Sequence, residues 1–182
     1  MIAKPTELPG VIVIESPVYG DERGFFTEVF HEDRFAELGL PRHFAQDNHS
    51  RSSRRVLRGI HFQRENPQGK LVRPVSGVVF DVAVDLRRSS RYFAQWVGVT
   101  LTAGDGRQLW IPPGFGHAFL VLSECADIYY KCTTVYHAAS NCAIRWDDPD
   151  IAIEWPLSAG EAPLLSPKDA AAPSLAADRC YP

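Results

Sequence analysis

The chain has 182 residues, 45% of them hydrophobic and 23% charged, and a formal net charge of −3. That composition supplies a real core for one domain and excludes a disordered chain. The slight acidity excludes the broad basic field that nucleic-acid binding needs, so an anionic ligand must meet a local arginine cluster, and no run approaches the ~18 apolar residues of a membrane span.

In chain order, "MIAKPTELPG" has no apolar core of a secretory leader, and Cys125, Cys132, Cys142 and Cys180 contain no C-x-x-C pair. Reduced thiols and a cytoplasmic protein are expected. "GVIVIESPVY" and "GFFTEVF" flank the turn residues "GDERG" and predict a hairpin within an N-terminal arm over about residues 1–30. "HEDRFAELGL" puts Phe35 and Leu38 on one helical face before Gly39 and Pro41, which predicts a short helix with a stop.

From Gln46 onward the pattern becomes strand-like: "VLRGIHFQ", "KLVRPVSG", "VVFDVAVDL", "QWVGVTL", "RQLWIP", "HAFLVLSE", "ADIYYKCTTVY" and "CAIRWDD". Short runs with turn signals every ~8–12 residues predict an antiparallel sandwich or barrel rather than β-α units. In "VVFDVAVDL", Phe80, Val82, Val84 and Leu86 share one face, and Asp81 and Asp85 on the other need partners. After Pro163 the alanine- and proline-rich tail reads as a surface helix or cap over about 163–182, so the whole chain is expected to form one mainly β domain with short flanking helices.

Several side chains could carry chemistry. Alternation puts His61 on the face of Leu57 and Gly59, with Arg58 and Ile60 opposite. A histidine in such a strand is either a satisfied structural group or a base. Lys70 follows the turn "NPQG", and His117 sits in "PPGFGHAF", so three titratable groups could meet at one barrel mouth. In "IYYKCTTVY" either Tyr130 or the pair Tyr129 and Lys131 points inward, and alternation cannot choose. Arg23, Glu28, Arg58, Arg73 and Lys168, taken singly, read as solvated charges. In "SPKD", Ser166 reads as an N-cap with Pro167 at the first helical position, which favours a capping role for Asp169.

Together, "QDNHSRSSRRVLRGIHFQ", "QGKLVRPVSGVVFDVAVDLRRSS", "QWVGVTL", "RQLWIPPGFGHAFLVLS", "YKCTT", "AIRWDDP" and "LSPKD" closely resemble the dTDP-4-dehydrorhamnose 3,5-epimerase family from about Gly10 to Asp169. The resemblance implies a cupin-like jelly-roll barrel and a homodimer with exchanged N-terminal strands. It also implies no metal or other cofactor, and a dTDP-linked 4-keto-6-deoxy sugar as substrate. By motif, His61 would be the proton acceptor, Asp169 its carboxylate partner, Tyr130 the proton donor, and Lys70 the group near the sugar's C4 oxygen. Arg23, Phe25, Phe26, Glu28, Gln46, Asp47, Asn48, Arg58, His117, Asn141 and Lys168 match substrate-contact positions. Two positions depart from the pattern: Asn141 stands where a glutamate is usual, and Val135 where a tyrosine is frequent. The barrel pattern alone also permits a metal-dependent cupin, with His61 and His117 as ligands, but "HFQRE" offers Gln63 where that motif has its second histidine. A non-catalytic sugar-nucleotide-binding barrel would not need the acid and base set.

Overall fold

The structure is a computed structural model and describes residues 1–176 and 180–182. Strands β1 (Ile2–Pro5) and β2 (Ile12–Glu15) pair antiparallel, and the expected hairpin follows as β3 (Val18–Asp21) and β4 (Gly24–Thr27), a two-stranded sheet of its own. Helix α1 (Glu32–Glu37) lies where the stop signals put it. Then come β5 (Gln46–Ser53), β6 (Leu57–Gln63), β7 (Lys70–Ser76), β8 (Val78–Asp85), β9 (Trp96–Thr102), β10 (Arg107–Ile111), β11 (Phe115–Val121) and β12 (Cys125–Cys132). A short β13 (Asn141–Ala143) and the one-turn helix α2 (Pro167–Ala170) close the chain.

One sheet has the order β1-β2-β10-β7-β12-β5 and the other β13-β6-β11-β8-β9, with every pairing antiparallel. They face each other as a cupin-like jelly roll. Alternation turns Val72, Leu109 and Ile128 of the first sheet inward onto Val79, Ala83 and Phe119 of the second, all buried. Each large aliphatic or aromatic side chain so buried contributes ~1.5–3 kcal/mol. The outer face of the first sheet is covered by α1, with Phe35 and Leu40 on Ile14, Leu71 and Trp110.

In β8 the apolar face points outward and the acidic one inward. Val82, Val84 and Leu86 are sealed from outside by Ile144, Ile151 and Tyr181, so the last part of the chain acts as a lid on that sheet. Asp81 and Asp85, both fully buried, find the partners they need in His117 and Arg87. Of the surface helix or cap expected over 163–182, helix among the described residues is confined to Pro167–Ala170, because Pro173 lacks an amide N–H and crowds a continuing turn. Of that tail, residues 177–179 lie outside the described residues. Among the described residues, no helix is long and apolar enough to cross a membrane.

The packing of β6 on β11 depends on one glycine. Gly59 has φ +128°, and a Cβ there would lie 2.3 Å from the Ala118 Cβ and 2.7 Å from the His117 carbonyl oxygen. Gly59→Ala is expected to cost roughly 2–5 kcal/mol, from overpacking plus a backbone conformation L side chains avoid. Urea unfolding measures it, and a loss under 1 kcal/mol would contradict this packing.

Candidate active site

The site lies at one end of the barrel, where inward residues of both sheets meet. Opposite β11, Arg58 pairs with Phe119 and His61 with His117, so that Gly59 and Ile60 of β6 stand against Ala118 alone on β11. This bulge at Gly59 corrects the simple alternation: Arg58 and His61 share the inner face, while Ile60 and Phe62 pack outward. Facing them, β12 turns Tyr130 inward, which resolves the choice that alternation left open. Its cross-strand neighbour on β5 is Asn48, and Lys70 starts the adjoining β7.

His61, Lys70 and Tyr130 line one cavity of ≈ 250 Å³ with Gln46, Asn48, Asn141 and Lys168. A second hollow of ≈ 270 Å³, lined by Arg58, His61, Lys168 and Asp169, opens on the other side of the same histidine. His61 Nε2 lies 2.6 Å from Asp169 Oδ1, and the carboxylate is buried while the imidazole keeps about a third of its surface. Both readings of Asp169 are realised at once. Its backbone N–H donates to the N-cap Ser166 Oγ at 3.1 Å, and its carboxylate holds His61.

Electrostatics separate the groups. Burial works to raise the Asp169 pKa, but the hydrogen bond and charge of His61, with Ser166 and Lys168, outweigh it and keep the carboxyl below its usual range. An ionised Asp169 can only accept, so Nε2 carries the proton and Nδ1 is left as the basic nitrogen. Burial pushes the Tyr130 hydroxyl above its ordinary range, Cys132 adding to the effect and Arg58 opposing it. Burial pushes the Lys70 ammonium down, against Cys132 and Asp81. Behind the cavity, Nε2 of buried His117 lies 3.1 Å from both oxygens of Asp81, and its ring stands edge-on to Tyr130 with centroids 6.4 Å apart. Burial again dominates and lowers the His117 pKa, favouring the neutral ring.

Five expected contact residues are placed elsewhere. Asp47 points to the outer face of its sheet, where it accepts from Tyr129 and Lys131, so as a wall residue of this cavity it is corrected. Its neighbours Gln46 and Asn48 face in. Arg23 is held by Asp21 and Glu28 by Arg34, both on the surface, and Phe25 and Phe26 are 63% and 68% exposed. None of these four lines the cavity of its own chain. Sequence reading missed Tyr136, Gln63 and Gln68, which do line it. The departure at Val135 is thereby explained in part: Val135 is exposed and the next residue, Tyr136, forms the wall, its N–H donating to Gln46 Oε1 at 2.7 Å. Gln63 spends its carboxamide on the Asn66 carbonyl and the His137 N–H.

Comparison with known proteins agrees with this arrangement. Residues 5–177 match the profile of the family described as dTDP-4-dehydrorhamnose 3,5-epimerase. The dTDP-4-dehydrorhamnose 3,5-epimerase of Salmonella typhimurium is 55% identical over 177 residues, 96% of either chain, and that of Pseudomonas aeruginosa is 51% identical over the full length of both. Among solved structures, the dTDP-6-deoxy-D-glucose-3,5-epimerase of Legionella pneumophila, in complex with dTDP-4-keto-L-rhamnose, superposes with a TM-score of 0.93. It is 50% identical over 99% of this chain and 97% of that one. With a His–Asp pair, a lysine and a tyrosine on opposed walls of one cavity and this degree of likeness along its length, the chain belongs to the dTDP-4-dehydrorhamnose 3,5-epimerase family.

Proposed function

We propose that the protein converts dTDP-4-dehydro-6-deoxy-D-glucose to dTDP-4-dehydro-L-rhamnose, inverting C3 and C5, as a step toward dTDP-L-rhamnose. The observation that carries this reading is the placement of His61, backed by Asp169, and Tyr130 on opposite sheets around one cavity that also holds Lys70. The C4 ketone acidifies the C–H bonds at C3 and C5. His61 Nδ1 takes the proton, and the electron pair moves onto O4 as an enolate. The Lys70 ammonium, held in a poorly solvated wall, stabilises that charge more than water would. Reprotonation comes from the other sheet. Tyr130, kept protonated by burial, gives its hydrogen to the opposite face of the carbon, and exchange with solvent restores both groups. A single base would return the proton to the face it came from. Lys168 and Arg58 supply positive charge beside the site for the diphosphate.

In the same reading the whole chain acts as one unit, in the cytoplasm, as a homodimer whose hairpin β3–β4 completes the neighbour's site. Cys125, Cys132 and Cys142 are free thiols, which fits a reducing compartment.

The test incubates the protein with dTDP-4-keto-6-deoxyglucose in D₂O and follows the product by NMR. Deuterium at both C3 and C5, with the L-lyxo product trapped by a ketoreductase, is expected. The neutral Asn141 on the wall gives one specific reason to watch for a monoepimerase, which would label a single carbon at completion. Absence of exchange at either carbon would overturn the proposal.

A further inference from the structure

The strand β5 poses a physical problem. It is an edge strand with one neighbour, β12, and its inward residues Gln46, Asn48, Ser50 and Ser52 are all polar, so no apolar side chain anchors it to the core. Yet Gln46 and Asn48 form the cavity wall opposite His61, and Asn48 stands directly across from Tyr130. Beyond the backbone ladder that pairs it with β12, polar side chains are left to fix the position of β5 within its own chain.

The outer face supplies them. Asp47 lies opposite Lys131 in the register, and its carboxylate accepts from the Lys131 ammonium at 2.8 and 3.1 Å and from the Tyr129 hydroxyl at 2.6 Å. Both donors are the immediate chain neighbours of Tyr130. The lysine is itself anchored: its side chain is 23% exposed, and Nζ lies 5.8 Å from the Phe44 ring centre and 5.9 Å from that of Phe30. A second carboxylate clamp, Asp127 with Arg51 and His49, secures the other half of the same strand pair, away from the cavity wall.

Resting on the epimerase reading, we propose that Asp47 is a positioning residue: by tying β5 to β12 from outside, it holds Gln46, Asn48 and Tyr130 in place on the inside. It acts through Lys131 and Tyr129, not through a contact with the sugar nucleotide. A charge-assisted pair of this kind keeps its geometry better than an exposed ion pair, because an aromatic pair already fixes one partner.

A double-mutant cycle tests this. Asp47→Asn keeps the shape and removes the charge, and Lys131→Met keeps the stem and removes the donor. Either variant is expected to lose about threefold to thirtyfold in kcat/KM per folded molecule, small shifts of reacting groups being costly. In a Tyr129→Phe/Lys131→Met background, where both donors to Asp47 are gone, Asp47→Asn should cost less than a further twofold. The ratio of deuterium washed into recovered substrate to net epimerised product should rise in both single variants, as Tyr130 delivers its proton less often. A merely structural clamp would lower the melting temperature and leave that ratio unchanged, which would overturn the proposal. So would an Asp47→Asn loss of the same factor with or without the Tyr129 hydroxyl and the Lys131 ammonium, the mark of direct substrate contact. Wild-type protein run alongside separates the two levels: if it exchanges neither carbon, the epimerase reading itself falls, and the positioning role with it.

Discussion

His61→Asn is expected to lower kcat by about 10³–10⁴ while leaving the protein folded, since a positioned base is worth that much and no other group in the cavity wall is held by a buried carboxylate. Asparagine is the better probe than alanine. Its carboxamide is too short to reach the Nε2 position, but it keeps a polar group and room for a bridging water beside the buried Asp169 carboxylate, which beside alanine would be left uncompensated at a cost of roughly 1–3 kcal/mol. Asp169→Asn should cost about 10–10² in kcat, because a carboxamide no longer favours the Nε2–H tautomer nor the imidazolium formed on proton transfer. The helix cap is separable from this effect. The capping donor is the backbone N–H of Asp169, which the substitution retains, whereas Ser166→Ala removes the acceptor and should cost ~0.5–2 kcal/mol of stability with a much smaller change in kcat. Thermal melts and initial rates on the three variants check the pattern. Near-wild-type turnover in His61→Asn would end the assignment of the base.

What could be read in advance followed the strength of the local signal. Strands with an apolar face, such as "VVFDVAVDL" and "HAFLVLSE", announce themselves as strands through their period and β-branched content, although both of these bury the two faces alike. The strand β5 does not. "QDNHSRSS" is polar on both faces, so periodicity is silent, and Gln46, Asp47 and Asn48 were approachable only through the resemblance. That resemblance grouped three neighbours which the pleat then divides, two facing in and one out. The bulge at Gly59 was invisible for another reason: it depends on how closely β11 approaches, a tertiary fact that alternation along β6 cannot contain. Asp169 illustrates the opposite case. The cap read from the short motif and the contact with His61 that the resemblance implied do not compete, because they use different atoms of one residue.

The arm tests the quaternary reading. Arg23 sits in the turn of a two-stranded sheet separate from both barrel sheets, is 87% exposed at its side chain, and among the described residues is paired with Asp21 at the end of β3. Tyr19, Phe25 and Phe26 around it are also exposed, an apolar surface that a hairpin in water does not retain without a use. If the hairpin serves the neighbour's cavity, the two halves of a site reside on different chains. Arg23→Ala homodimers and His61→Ala homodimers should then each be nearly inactive. Mixed under conditions of subunit exchange, heterodimers would carry one site with both defects and one with neither. At equal concentrations a statistical mixture is half heterodimer, so recovery of about one quarter of wild-type activity is expected. Exchange is verified separately with differently tagged subunits and native mass spectrometry. Were Arg23 to act within its own chain, every site in the heterodimer would keep one defect, and activity would stay at the level of the separate variants however complete the exchange.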